Sequence, residues 1–123
     1  MTYLVDRRKR RSNDRNAAVR YQLEYARERG GIEALVLADG DGLLLAASGE
    51  PAVCAELGAV APLLGHSLFR MPMPPMLRGA DVAVRRLDIY GQPLFLAAVG
   101  GGVARDVWLA RSAAGVRRIL AAN

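Results

Sequence analysis

Apolar positions along the chain follow two kinds of pattern. Val19, Leu23 and Ala26 recur at spacings of four and three, the period of one helix face. A helix from about Asn16 is predicted, with cap-type residues Ser12, Asn13 and Asp14 before it and Gly30-Gly31 as its stop. From Ile32 to Ala38, Glu33 apart, and again from Leu43 to Ala47, apolar residues are consecutive rather than alternating. Such runs read as strands that are covered on both faces or have one face buried against another copy. Asp39-Gly40-Asp41-Gly42 joins them, and Asp-Gly between two apolar runs is the strongest local hairpin signal.

Ser48 and Gly49 then offer a cap, and Glu50 and Pro51 suit a first turn. Val53, Leu57, Val60, Leu64 and Leu68 repeat at four, three, four and four. The opposite side holds Ala52, Ala55 and Ala59, and Glu56 is the one charge between Pro51 and Leu64. A helix apolar on most sides must be buried on most sides, which in a short chain points to a subunit interface as much as to the core. Pro62 removes a backbone donor and crowds the carbonyl of Gly58, so a kink or an early end is expected. Residues 70–80, with three prolines, read as a loop. Asp81 to Tyr90 reads as a strand whose alternation slips at Arg85-Arg86, where a bulge is expected. Gly91-Gln92 reads as a turn, Pro93 to Val99 as a strand, and Ala104 to Ala121 as a helix with Leu109, Ala113, Val116 and Leu120 inward. The order helix-strand-strand-helix-strand-strand-helix predicts an α/β chain of the α+β kind, an antiparallel or mixed sheet with helices on its faces.

A chain of 123 residues suits one domain, and 52% hydrophobic residues exclude overall disorder. The single Cys54 forms no internal disulfide. No apolar run reaches the length of a membrane span, and no apolar segment follows the charged start as in a signal peptide, so a cytoplasmic location is expected. Sixteen of the seventeen basic residues are Arg, and with abundant Ala, Gly and Leu this is the codon signature of a GC-rich, bacterial genome. Residues 1–29 hold nine bases against four acids, whereas residues 30–123 hold eight of each. Arg7, Arg8, Lys9, Arg10 and Arg11 repel one another, so residues 1–15 read as a basic, mobile arm ahead of a domain at 16–123. Such a run suits nucleic acid or an anionic membrane, without the interleaved aromatics that stack on bases.

Catalytic signatures are weak. An EF-hand reading of Asp39-Gly40-Asp41-Gly42 would put Leu43 at the fifth ligand position, so a hairpin turn is preferred. Gly100-Gly101-Gly102 lacks phosphate-loop spacing. Cys54 and His66, twelve residues apart on one helix, would lie about 120° and roughly 18 Å apart, out of reach as nucleophile and base. No His/Cys spacing suits a metal and no carboxylate pair suits acid/base work, so neither enzyme activity nor a cofactor is expected.

The element order, together with Gly31 to Ala38, Asp39 to Gly42 and Leu43 to Ser48, resembles the Roadblock/dynein light chain family over about residues 16–122. The resemblance implies a Roadblock/profilin-like fold, usually with five strands. Four are placed here, and Leu68 to Met73 is the candidate fifth. It also implies a small non-enzymatic adaptor that homodimerises by pairing second helices and extending the sheet, and that docks a Ras-like small GTPase or related signalling complex. Some members stimulate hydrolysis by that GTPase. Val53, Leu57, Val60 and Leu64 are then expected in the dimer helix. The family marks no catalytic residue, and no arginine here stands out as a finger toward a γ-phosphate. The alternative is an electrostatic binder in which residues 7–11 contact nucleic acid or anionic membrane and the folded domain serves only to dimerise.

Overall fold

A computed structural model of the chain describes residues 2–66, 77 and 81–121, with side chains for 14–65, 77 and 81–121. In chain order the elements are α1 (Thr2–Gly30), β1 (Ile32–Asp39), β2 (Leu44–Ser48), α2 (Pro51–His66), β3 (Val82–Ile89), β4 (Gln92–Gly100) and α3 (Gly102–Ala121). The predicted order holds. The described strands form one sheet in the order β2-β1-β4-β3, with every neighbouring pair antiparallel. The candidate strand at Leu68 to Met73 and the loop at 70–80, Leu77 apart, lie outside the described residues.

The sheet separates two cores. Val19, Leu23 and Ala26 of α1 and Leu109, Ala113 and Val116 of α3 pack with Ile32, Leu35, Leu37, Leu87, Ile89, Leu94, Leu96 and Ala98 on one face. Val53, Cys54, Leu57, Val60 and Ala61 of α2, with Leu77, pack with Ala34, Val36, Phe95, Ala97 and Val99 on the other. The consecutive apolar runs of β1 and β4 are thereby explained, because both central strands are buried on both faces. Each leucine removed entirely from water, such as Leu23 or Leu57, contributes about 1.5–3 kcal/mol.

The Asp39 turn forms as expected. Asp39 Oδ1 accepts from the amides of Asp41 (2.9 Å) and Leu43 (3.0 Å), and the Asp39 carbonyl accepts from Gly42 (3.1 Å). Its carboxylate is thus occupied in shaping the turn.

Five expectations are corrected. First, α1 begins at Thr2, well ahead of Asn16, so the backbone of the basic run expected as a mobile arm is helical. Arg and Lys are good helix formers, and Ser12, Asn13 and Asp14 sit inside the helix rather than capping it. Second, of the kink or early end expected at Pro62, the early end does not occur, since α2 continues to His66. The carbonyl left without its helical donor belongs to Gly58, which lies against Gly42 of the hairpin turn. Third, β3 pairs with β4 in unbroken register through Arg85 and Arg86. The alternation changes there because α2 covers one half of the strand and α3 the other: Val82 and Val84 pack on the α2 side, Leu87 and Ile89 on the α1/α3 side. Fourth, the register shifts fall elsewhere, between Leu37 and Ala38 against β2 and between Ile32 and Ala34 against β4. Fifth, the β3–β4 turn is Tyr90-Gly91 rather than Gly91-Gln92. Both residues have positive φ (51° and 79°), the signature of a two-residue primed turn. Tyr90 accepts that conformation while its hydroxyl donates to the Ala121 carbonyl at 2.6 Å, tying the turn to the end of α3.

Candidate functional site

The four residues expected at a dimer helix are turned the other way. Val53 (6% exposed), Leu57 (0%) and Val60 (5%) face this chain's own sheet, and Leu64 packs beside them. Their side chains are already occupied within one protomer, so they are not a free interface. The outward face of α2 is instead Ala52, Ala55, Ala59 and Leu63, all exposed, at spacings of three, four and four. The small side is visible in the sequence, but there the larger side reads as the interface. Size decides which side turns inward, because the larger side chains fill the gap over a sheet.

Small residues also bring α2 close to the first hairpin. A Cβ on Gly58 would collide with Leu44 Cδ2 and lie 3.1 Å from Leu44 Cγ, while a Cβ on Gly42 would lie 3.3 Å from Ala59 Cα. The turn and the helix therefore pack backbone against backbone.

Beside the start of α2 lies a polar groove of about 490 Å³ lined by Arg20, Glu24, Arg27, Glu33, Ala47, Ser48, Gly49 and Glu50. Arg27 Nε donates to Ser48 Oγ at 2.6 Å, which satisfies the buried serine. Two cations face three carboxylates, so the groove does not concentrate charge of one sign. Cys54 is buried nearby, and burial pushes its thiol pKa up, with the Arg27 charge pulling it down and Glu50 pushing it up. A protonated, buried thiol is a poor nucleophile. The side chain of His66, its proposed partner, lies outside those described. Among the described residues no cluster of His, Cys, Asp and Glu could hold a metal ion, and no helix is long and apolar enough to cross a membrane. An apolar hollow of about 300 Å³ opens at the other end of the hairpin between Asn16, Val19, Leu37, Leu44, Leu45 and Leu120.

On the far side of the sheet, Tyr25 meets Trp108 edge-on (centroids 5.8 Å apart, 74° between planes). Arginines lie over three rings: Arg29 over Tyr25, Arg111 over Trp108 and Arg20 over Tyr21. This aromatic group was missed at the level of sequence, although the four-residue spacing of Tyr21 and Tyr25 was visible. The basic run at 7–11 belongs to the same helix, and its side chains lie outside those described.

The fold can be compared with solved structures. MglB of Myxococcus xanthus superposes with a TM-score of 0.53 at 13% identity, covering 85% of this chain and 88% of that one. The fold is Roadblock-like. A gliding protein, MglB of Thermus thermophilus, aligns over 89% of this chain and 90% of its own at 18% identity, with a TM-score of 0.48. No family model matches the sequence, and no curated protein matches it. In this Roadblock-like frame, the exposed α2 stripe and the arginine-aromatic face of α1 and α3 lie on opposite sides of one sheet.

Proposed function

We propose that this chain is a cytoplasmic, non-enzymatic adaptor that forms a homodimer and binds a Ras-like small GTPase or a related signalling complex, modulating its GTP hydrolysis. The observation that carries the reading is the outward face of α2, where Ala52, Ala55, Ala59 and Leu63 (53% exposed) present small and apolar side chains with half-buried Glu56 as the one charge among them. Small side chains let a second helix approach closely, and Leu63 supplies apolar area at the end of the stripe. The Roadblock-like fold supports the partner class, because the sequence resemblance implies adaptors that pair through their second helices.

The test has two parts. Light scattering after size exclusion is expected to give a dimer for the unmodified chain and a monomer of unchanged circular dichroism for Leu63→Arg. Ras-like GTPases encoded beside the protein are then loaded with GTP or GDP, and their binding and hydrolysis rates measured with and without it. A chain that is monomeric at every concentration refutes the dimer. Failure to bind or alter any such GTPase in either nucleotide state refutes the partner.

A further inference from the structure

We infer that the outer face of α1 and α3 docks on an anionic lipid bilayer. The inference concerns the side of the sheet opposite α2, so it does not depend on the dimer or on the GTPase.

The first observation is how charge is divided. From residue 14 onward α1 and α3 hold eight Arg against four carboxylates, while the other described residues hold two Arg against seven carboxylates. The five cations at 7–11 extend the basic helix further. Arg27 is held by Ser48 and Arg105 by Asp81 and Asp106, which leaves six exposed Arg on the two helices, so this layer is still positive and the rest of the described domain negative. Near an anionic plane such a molecule orients with α1 and α3 toward it.

The second observation is what lies between the cations. The exposed stripe of α3 is Val103, Val107, Arg111, Ala114 and Arg118, at spacings of four, four, three and four. Tyr21, Tyr25 and Arg29 are exposed on α1 at every fourth position. Tyr25 meets Trp108 and Gln22 lies at Gly115, so the two helices run antiparallel and these stripes share one surface. Val103 is 89% exposed, Tyr21 62%, Val107 51% and Tyr25 49%. None of this apolar area is spent on the core.

Tyrosine and tryptophan rings suit the headgroup level, valines the acyl boundary just below it, and arginines reach lipid phosphates over their own apolar stems. Nucleic acid fits less well. Its phosphates gain nothing from Val103 or Val107, and the rings of Tyr25 and Trp108 are already engaged with each other and with arginines rather than free to stack on bases.

Trp108 is the chain's one tryptophan and sits in this surface, so its fluorescence reports the contact directly. The full chain is titrated with phosphatidylcholine vesicles, with mixed phosphatidylglycerol/phosphatidylcholine vesicles, and with a DNA duplex. The expected result is a blue shift of Trp108 and co-flotation with the mixed vesicles only, both weakened by high salt. Arg111→Gln with Arg118→Gln is expected to weaken partitioning roughly 25-fold, about fivefold for each cation lost. Val103→Ser with Val107→Ser reduces the blue shift and leaves circular dichroism unchanged. Arg86→Gln, a cation paired with Asp88 on β3, leaves partitioning unchanged. The inference is overturned by equal binding to neutral vesicles or by insensitivity to the Arg111/Arg118 pair. It is equally overturned by flotation without a Trp108 shift, which would assign the contact to residues 7–11 alone. A Trp108 shift on the duplex without flotation would overturn it in favour of nucleic acid.

Discussion

Truncating Leu57 and substituting Leu63 should separate what α2 does for its own domain from what it offers to a second copy. Leu57 is 0% exposed and sits in the cluster that joins α2 to Val36, Phe95 and Ala97. Leu57→Ala removes buried methyl groups and leaves a cavity, at a cost of about 2–5 kcal/mol. At about 2.1 cal/mol/K of unfolding entropy per residue, a cost of 3 kcal/mol lowers the melting temperature of a chain this size by roughly 12 °C. Leu63 is 53% exposed, so within one protomer Leu63→Arg changes stability by no more than about 0.5 kcal/mol. Urea unfolding followed by circular dichroism gives the first quantity, and light scattering at the same concentrations gives the association state. The expected pattern is an unstable Leu57→Ala that still dimerises when folded and a stable Leu63→Arg that does not. The opposite pattern, a dimer lost in Leu57→Ala with less than about 1 kcal/mol of destabilisation, would mean that α2 is turned round on the sheet and that the reasoning from burial is wrong.

Three further substitutions test local packing and titration. Gly58→Val would drive a side chain into Leu44 where α2 meets the hairpin, and urea unfolding should show a loss of about 1–3 kcal/mol. Ser112 is fully buried and its hydroxyl lacks a hydrogen-bond partner among the described residues, so Ser112→Ala should stabilise the protein by roughly 0.5–1.5 kcal/mol in the same assay; a loss would mean that the hydroxyl has a partner. Burial raises the Cys54 pKa above its ordinary value. The unfolded thiol ionises first, so the stability due to the neutral buried thiol is fully present below the ordinary thiol pKa and falls as pH rises through the folded one. Native Cys54 should therefore react with a disulfide reagent far more slowly than the unfolded chain, and unfolding titrations should show stability falling on the alkaline side; fast native labelling would contradict the burial.

The strands were legible because their signals are local. Consecutive apolar residues at 32–38 mean burial on both faces in β1, whereas the same pattern at 43–47 gives the edge strand β2 with Leu43 and Leu45 exposed; Asp-Gly at 39–42 means a turn whatever surrounds it. What was not legible depended on partners distant in sequence. The change of face at Arg85-Arg86 reads as a bulge in isolation and becomes regular pairing only once α2 and α3 each cover half of β3. Pro62 reads as a break, yet the helix runs on past it, and the carbonyl it orphans falls at Gly58, beside Gly42 of the hairpin turn. The side of α2 that turns inward was not legible, because both sides are apolar and only the sheet beneath decides between them.

The burial pattern of α2 also bears on how its two sides respond to change. The inward stripe is constrained by volume, since Leu57 and Val60 fill fixed space over Val36 and Phe95 and a lost methylene leaves a void. The outward stripe is less constrained within one chain: Ala52 and Ala55 are exposed, and Ala59, though exposed, lies where the backbone of α2 meets Gly42. A face kept small, with half-buried Glu56 its one charge, is what close approach of another helix favours. On the opposite side of the sheet the exposed positions are filled by arginine, tyrosine and valine. One antiparallel sheet thus holds apart a face suited by size to a second protein chain and a face suited by charge to an anionic surface. Changes confined to Leu63 should move association without moving vesicle binding per protomer, and changes confined to Arg111 and Arg118 should do the reverse.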